Sequence, residues 1–219
     1  MLADDGAERL TEVISEDLLV TLKTLVGGFA QRRPGQRIVG SPELAHWLSA
    51  SPLLDVAAGL LESSARPVRA ILFDKSPINN WALGWHQDRT IAVREQVNVP
   101  GFGPWSRKAG IDHVEPPFDL IERMLTMRVH LDPVQLDNAP LLIAPGSHRF
   151  GRIVQADVEG AVQRCGQIAC LAAPGDVWLY RTAILHASSA SRHDGRRRVL
   201  QLDFSAEELS EPLQWRGID

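Results

Sequence analysis

Two histidines and one aspartate are the residues whose types and spacing predict metal chemistry in this chain. The segment "LGWHQDRT", residues 83–90, places His86 and Asp88 two positions apart. On a β-strand, residues i and i+2 project from the same face, so both side chains can converge on one point. Alone, the pattern is a weak indication, because an ordinary hydrogen-bonded polar pair at a strand end has the same spacing. A third candidate ligand is needed to distinguish a metal site from such a polar pair.

His186 is the candidate for that third ligand. It follows a Pro-Gly-Asp turn and an apolar strand in "GDVWLYRTAILHASSASR". Two histidines and one carboxylate form the facial triad of non-haem Fe(II) oxygenases, which leaves coordination positions open. A structural zinc site would close its shell instead. His130, in "TMRVHLD", is the competing residue, either as a ligand or as a histidine buried behind the ligands.

The elements that have to position these residues divide into a helical N-terminal part and a β-rich body. Residues 8–29 have near-helical apolar spacing, and Ser41-Pro42 and Ser51-Pro52 are helix start signals. From Pro67 onward, short runs of branched and aromatic residues alternate with Gly, Pro, Asn and Asp clusters, which predicts strands. The proline- and glycine-rich segment 98–119 is predicted to be a functional lid or a mobile insertion.

Composition excludes several classes of protein. With 219 residues and 44% hydrophobic content, the chain can bury one sizeable core. A net charge of −4 and a pI near 6.0 argue against a nucleic-acid partner. Cys165 and Cys170 are expected to be free thiols in a reducing cytoplasm. No apolar run approaches the roughly 20 residues that span a bilayer, so no membrane partner is expected. Oligomeric state is not indicated.

Four motifs in order, "WHQD", "LDNAPLLIAPGSHR", "PGDVWLY" and "LHASSASRHDGRRR", resemble the phytanoyl-CoA dioxygenase family of Fe(II)/2-oxoglutarate-dependent oxygenases over residues 68–205. The resemblance implies that His86, Asp88 and His186 are the catalytic metal ligands, and that Fe(II), 2-oxoglutarate and O2 are required. It also implies a mainly β, cupin-like jelly roll, the double-stranded β-helix, with the N-terminal helices packed on one sheet. We expect one oxygenase domain with a helical part at 1–66, a jelly-roll core at 67–205 and a C-terminal tail at 206–219.

The resemblance also implies which residues contact 2-oxoglutarate. The cosubstrate arginine and serine follow the distal histidine by eleven and two residues, which gives Arg197 and Ser188. Gln87 and Ile71 match two further contacts. Two positions depart from the family pattern: Arg128 replaces a tryptophan, and Ala139 replaces the glycine of Asn-Gly-Pro-Leu. A buried Arg128 would need an anion, either a substrate carboxylate or 2-oxoglutarate itself.

Arg197 and Arg198 compete for the cosubstrate position. In "RRVLQLDF", alternation puts Arg197, Val199, Gln201 and Asp203 on one face and Arg198, Leu200, Leu202 and Phe204 on the other. If the apolar face turned into the barrel, Arg198 would enter with it. We expect the reverse, because a metal and a dicarboxylate need a polar interior, while helices would cover the apolar face outside.

The implied reaction is hydroxylation of a C–H bond in a small-molecule metabolite, with release of succinate and CO2. Asp88 favours hydroxylation over halogenation, since halogenating relatives replace this carboxylate with a small residue. A cupin-like isomerase or metabolite sensor is the alternative. Lys75, Asn80, Trp81 and Trp105 are the candidate substrate contacts, although Trp81 also fits a core position and Lys75 a solvated one.

Overall fold

The computed structural model describes residues 1–29 and 35–218, which form mainly antiparallel β-structure. The helices of this described part are α1 (Leu2–Asp5), α2 (Glu16–Gly27), α3 (Pro42–Ala50), α4 (Leu53–Leu61), α5 (Phe118–Glu122) and α6 (Val158–Cys165). The strands are β1 (Ala7–Leu10), β2 (Gln36–Ile38), β3 (Arg66–Lys75), β4 (Leu83–His86), β5 (Ile91–Val93), β6 (Trp105–Lys108), β7 (Ile111–Val114), β8 (Leu125–His130), β9 (Leu141–Ile143), β10 (Ile168–Cys170), β11 (Val177–Arg181), β12 (His186–Ser188) and β13 (Arg197–Ser205).

Two sheets form the jelly roll. The larger has the strand order β1-β11-β8-β13-β3-β2, and the smaller has the order β10-β9-β12-β4. A third sheet has the order β5-β7-β6. Strands distant in sequence, such as β4 and β12, pair directly, as in a double-stranded β-helix. The predicted fold class is confirmed.

One hydrophobic cluster combines side chains of the N-terminal helices with one face of the larger sheet. Its buried members include Leu22, Val26, Leu44, Trp47, Leu48, Leu53, Ala70, Leu72, Met127, Val129, Leu200, Leu202 and Phe204. Because side chains alternate along a strand, burying Leu200, Leu202 and Phe204 here sends the intervening residues of β13 to the other face. This core therefore fixes which residues of β13 can point into the barrel.

The N-terminal part differs from the predicted helix over 8–29. Helix α2 begins only at Glu16, where the Ser15 hydroxyl accepts a hydrogen bond from the Leu18 amide. The residues before it form β1, which pairs with β11 at the edge of the larger sheet. The next start signal is correct: α3 begins at Pro42 and is capped by Ser41. Within the predicted 1–66 part, residues 30–34 lie outside the described range.

Segment 98–119, predicted to be a functional lid or a mobile insertion, contains two β-strands, and its role as a lid stays a prediction. Strands β6 and β7 form a hairpin closed by Ala109 and Gly110, both with positive φ, the conformation that tight two-residue hairpin turns favour. The hairpin belongs to the three-stranded sheet, and Trp105 packs against that sheet's apolar cluster. Its prolines and glycines thus accompany a short ordered sheet.

The segment after β13 packs back onto the body. Leu209, Leu213 and Trp215 are buried in the cluster under the three-stranded sheet, and Ile218 is buried in the large cluster. Of the helices described, none alone has the length and hydropathy to cross a bilayer. Helices α3 and α4 pass that test only as a pair, which is bent by 73°.

Candidate active site

His86, Asp88 and His186 converge on one point, with one potential ligand atom from each within 4.8 Å of the others. Strands β4 and β12 cause the convergence, because His186 lies directly opposite His86 in their antiparallel pair. The two imidazole centroids are 4.3 Å apart. Asp88 follows two residues after His86, as the spacing predicted. His130 is not a member of this group.

Backbone contacts orient both imidazoles for metal binding. Nδ1 of His86 lies 2.7 Å from the Gly84 carbonyl oxygen, and Nδ1 of His186 lies 3.0 Å from that of Ile184. Since a carbonyl only accepts hydrogen bonds, each Nδ1 donates, and each Nε2 is left with a free lone pair. Burial and the neighbouring His86 lower the pKa of His186 to about 4. It is therefore neutral at physiological pH, as a metal ligand has to be.

Arg69 controls the charge of the third ligand. Its guanidinium donates a 3.0 Å hydrogen bond to Asp88 and a second hydrogen bond to Asp203, which is fully buried. Burial alone would raise the pKa of Asp88, but the positive charge of Arg69, together with its hydrogen bond, outweighs burial and lowers that pKa to about 2. Asp88 is therefore a carboxylate at neutral pH, with its ligand charge already present.

These donors fit a divalent metal ion of the facial-triad type. Two neutral imidazole nitrogens and one carboxylate provide three ligands from a single side, which is the donor set that non-haem Fe(II) prefers. The carboxylate and both imidazoles are each held by a further hydrogen bond, the arrangement that usually supports metal ligands.

A cavity of about 390 Å³ opens from the triad, within the range of small-molecule sites. Of the residues predicted to contact cosubstrate or substrate, those that line it are Ile71, Lys75, Trp81, Gln87, Arg128, Ser188 and Arg197. Seven cationic side chains line the cavity against one acidic side chain, Asp88. The cavity is therefore strongly selective for anions.

One end of the cavity gathers the predicted cosubstrate residues. Arg197 is 2% exposed and donates a 2.8 Å hydrogen bond to the Ala139 carbonyl, which also accepts from the Ser188 hydroxyl at 3.3 Å. Nζ of Lys75 donates to the same hydroxyl at 2.9 Å. Ala139 keeps a φ of 48°, the left-handed conformation for which the family pattern has glycine. The substituted residue thus retains the turn that supplies this carbonyl.

Arg128 adds a third buried cation at this end. It donates a 2.9 Å hydrogen bond to Gln201 and stacks over the Phe73 ring at 4.7 Å. Among the described residues neither Arg128 nor Arg197 forms a salt bridge, and the Nε atom of each has no hydrogen-bond partner. Burial, followed by the charge of Arg128, lowers the pKa of Arg197. Because no described carboxylate pairs with these guanidiniums, they favour an anionic ligand.

Three predicted contact residues make hydrogen bonds or packing contacts with other parts of the protein. The Gln87 amide makes three hydrogen bonds to backbone groups of Gly151, Ala183 and Ile153, at 2.7–2.9 Å. Both N–H groups of the amide are thus donated to backbone carbonyls, while Gln87 still lines the cavity, so its contact with 2-oxoglutarate stays a prediction. Asn80 pairs with the backbone of Ser191, and Trp105 packs in the three-stranded sheet. Neither Asn80 nor Trp105 lines the cavity.

Sequence reasoning missed the cations at the other end of the cavity. Arg69, Arg37 and Lys108 line it, and they come from three different strands. The signal for Arg69 was present, since an arginine inside the apolar run "PVRAILF" implies a buried counter-charge. Arg37 and Lys108 lie in polar segments, where a charged residue does not stand out from its neighbours.

Comparisons with known proteins agree with this geometry. Residues 42–199 match the family model for phytanoyl-CoA dioxygenase. No curated protein shows significant similarity to the chain. Among solved structures, EctD from S. alaskensis in its apo form is similar, with a TM-score of 0.73 and 21% identity over 96% of this chain and 77% of EctD.

Two other solved structures are also similar to this chain. AviO1 from Streptomyces viridochromogenes Tue57 has a TM-score of 0.65 and 18% identity over 97% of this chain and 95% of AviO1. SnoK, a non-haem α-ketoglutarate-dependent carbocyclase from nogalamycin biosynthesis, has a TM-score of 0.66 and 16% identity over 93% of this chain and 80% of SnoK. At these identities the structural matches establish the fold. The family model covers well over half of the chain, so this protein belongs to the phytanoyl-CoA dioxygenase family of Fe(II)/2-oxoglutarate-dependent oxygenases, which use O2.

Proposed function

We propose that this protein hydroxylates a C–H bond of a small-molecule metabolite, using Fe(II), 2-oxoglutarate and O2 and releasing succinate and CO2. The observation that carries the proposal is the shared cavity of the metal triad and three buried cations, Lys75, Arg128 and Arg197, which form no salt bridge within the described residues. In a non-oxidative isomerase or a metal-dependent sensor, Arg197 and Ser188 would have no 2-oxoglutarate to bind. EctD from S. alaskensis, which has a similar fold, has been solved with 2-oxoglutarate and 5-hydroxyectoine, a hydroxylated compound.

The residues of this chain have separable tasks in that reaction. When bound, Fe(II) with 2-oxoglutarate and O2 supplies the oxidising power for attack on the substrate C–H bond. His86, Asp88 and His186 hold the ion on one side and leave the other side to its ligands. Arg197, with Ser188 and Lys75, binds the far carboxylate of 2-oxoglutarate by charge-assisted hydrogen bonds. Arg69 keeps Asp88 ionised.

Apolar side chains of the same cavity exclude water and position the substrate. Phe73, Trp81 and Leu83 line it beside the cations. Retention of Asp88 supports oxygen insertion rather than halogenation, because the carboxylate occupies the place that a halide would need. Similar folds include enzymes described as an epimerase and a carbocyclase, so product analysis by mass spectrometry is part of the test.

The cosubstrate assignment is tested by comparing two adjacent arginines. Arg197→Ala is expected to raise the dissociation constant of 2-oxoglutarate about tenfold or more, because a charged hydrogen bond contributes about 1.5–3 kcal/mol. Arg198→Ala is the matched control: Arg198 pairs with Asp132 at 2.8 Å and does not line the cavity. The measurement is anaerobic titration of 2-oxoglutarate into the Fe(II) protein. The reverse ranking would disprove the assignment of Arg197.

The metal assignment is tested by removing each ligand. His86→Ala, Asp88→Ala and His186→Ala are each expected to abolish succinate release while the far-ultraviolet circular dichroism spectrum stays native. Asp88→Gly is expected to retain iron through two histidines and to lose hydroxylation. Full activity in any single-ligand variant would exclude this triad.

A further inference from the structure

The cavity has a second cationic region that the proposed reaction does not use. Arg69 and Lys75 face the cavity six residues apart on β3, about 20 Å at roughly 3.3 Å per residue. Lys75 lies at the Arg197 end, and Arg69 lies beside the metal ligand Asp88. Arg37 of β2 and Lys108 of β6 line the cavity on the Arg69 side. We call Arg37 and Lys108 the outer cationic pair.

Arg37 is fixed by a buried histidine. Nε of Arg37 lies 3.3 Å from Nε2 of His113, and Nδ1 of His113 lies 2.9 Å from the Ile111 carbonyl oxygen. His113 must donate through Nδ1 to that carbonyl, so its Nε2 is the acceptor for Arg37. Burial lowers the pKa of His113 to about 4, which keeps the ring neutral. Within the part of the chain that the structure describes, no hydrogen bond engages the terminal nitrogens of Arg37, so they can bind a ligand.

Lys108 extends from the β6–β7 hairpin toward the segment that follows β4 and contains Asp88. Its Nζ lies 3.4 Å from the hydroxyl of Thr90, which stands two residues after Asp88 and also lines the cavity. Arg37 and Lys108 are thus brought from separate strands to one wall. Within residues 1–29 and 35–218, neither of them forms a salt bridge.

The outer cationic pair shares this wall with Arg69 and with the carboxylate of Asp88; Arg37 is half-buried and Lys108 is exposed. Partial burial lowers the pKa of Lys108, the nearby charges of Arg37 and Arg69 lower it further, and Asp88 acts in the opposite direction. Arg69 itself is already shared between Asp88 and Asp203. Bound 2-oxoglutarate would be drawn to Arg197 and the cations around it, so it leaves the outer cationic pair free to bind a second anion.

We propose that the outer cationic pair binds an oxyanion of the substrate, a carboxylate or a phosphate, and thereby holds the reacting C–H bond near the metal. The planar guanidinium of Arg37 suits two oxygens of such a group, while Lys108 supplies a point charge. This inference rests on the proposed function and specifies its substrate class: anionic metabolites, with neutral analogues excluded.

The test uses protein loaded with Zn(II), a redox-inactive substitute for Fe(II), and saturated with 2-oxoglutarate so that the inner cations are occupied. Inorganic phosphate and acetate are titrated separately, and amide chemical shifts are followed by NMR. We expect saturable shifts at Arg37, Lys108 and Thr90 with at least one probe. Binding by phosphate alone would indicate a phosphate ester, and binding by acetate alone a carboxylate.

Variants assign the binding to the outer cationic pair. Arg37→Gln and Lys108→Gln should each weaken probe binding about tenfold, and the double variant should abolish it. Arg107→Gln is the control, since Arg107 adjoins Lys108 on β6 but faces Asp112 at 3.6 Å. Arg37→Lys keeps the charge and should retain part of the affinity, which separates charge loss from misfolding.

The possible failures are distinguishable. If 2-oxoglutarate binds but neither probe gives saturable shifts, the oxyanion site is disproved and the proposed function stands. Unchanged probe binding in the double variant would also overturn the inference. Loss of 2-oxoglutarate binding in the unmodified protein would instead contradict the proposed function.

Discussion

Arg69 joins two buried carboxylates, and its removal is predicted to destabilise the protein. Arg69→Met would leave Asp88 and Asp203 without their shared counter-charge, so the free energy of unfolding should fall by about 3 kcal/mol or more. Urea denaturation of the metal-free protein at neutral pH measures the change. Arg66→Met is the control on the same strand: its exposed partner is Glu208, and about 0–1 kcal/mol is expected. Equal losses would contradict the prediction.

Lys75 is predicted to couple cosubstrate binding to proton uptake. Burial, with the charges of Arg197 and Arg128, lowers its pKa to about 7. A carboxylate bound beside Lys75 favours the charged form and raises that pKa, so 2-oxoglutarate should bind with uptake of a proton at pH 8 and less at pH 6. Calorimetry in two buffers of different ionisation enthalpy detects it, and Lys75→Met should remove it.

The same pKa has a consequence for folding. Since unfolded Lys75 titrates near pH 10.4, roughly the model-peptide value, the unfolded chain gains a proton first as the pH falls. The contribution of Lys75 to stability should therefore decrease between about pH 10 and pH 7 and stay constant below. Lys75→Met should flatten this part of the stability profile. An unchanged profile would contradict the lowered pKa.

Spacing and motif order were sufficient to predict the ligand side chains. The H-x-D pair and His186 converge as expected because strand alternation and pairing between distant strands determine their positions. The partners of these residues were not predictable. Arg69 and Asp203 meet only after β3 and β13 pair, and Arg37 meets His113 across two sheets. Such contacts depend on the register of strands far apart in sequence.

The side chain of Gln87 anchors the backbone between the ligands His86 and Asp88, which leads to a prediction about this segment. Gln87→Ala would strip hydrogen bonds from the backbone of Gly151, Ala183 and Ile153, at about 1–3 kcal/mol for each buried group left unsatisfied. We expect clearly lower stability and about 10–100-fold weaker Fe(II) binding, because the flanking ligands lose their support.

Gln87→Glu serves as the comparison, since it keeps the acceptor for the Ile153 amide and loses both donated hydrogen bonds. Thermal unfolding and Fe(II) titration measure both variants. If Gln87→Ala weakened 2-oxoglutarate binding with no loss of stability, the result would instead support the direct contact that the family resemblance implies.

Elements with local start signals were predictable, and those made by tertiary pairing were not. Ser41-Pro42 marks the start of α3 in the sequence itself. Strand β1 has only four residues, and its backbone hydrogen bonds come from pairing with β11. The near-helical spacing of its apolar residues therefore led to an incorrect prediction of helix. The β6–β7 hairpin was not predicted, because the prolines and glycines on either side of it indicated a loop.

The residues after β13 are predicted to be essential for the fold. Burial of Leu209, Leu213, Trp215 and Ile218 contributes about 1.5–3 kcal/mol per side chain, a sum comparable with the roughly 5–15 kcal/mol that stabilises a whole domain. A chain ending at Ser205 should therefore fail to fold, as judged by solubility and circular dichroism. Leu213→Ala should remain folded and lose about 2–5 kcal/mol. An unchanged melting temperature in the shortened chain would contradict this.

The larger sheet ends in β1 and β2, strands of four and three residues. Terminal strands this short offer another polypeptide few backbone groups for pairing, and charged residues on them, Glu8 and Arg9 on one and Arg37 on the other, oppose strand addition. These two edges of the larger sheet are therefore poor templates for the addition of another strand. Arg37 would oppose strand addition at this edge as well as bind a ligand, so variants of Arg37 should also be tested for aggregation by light scattering.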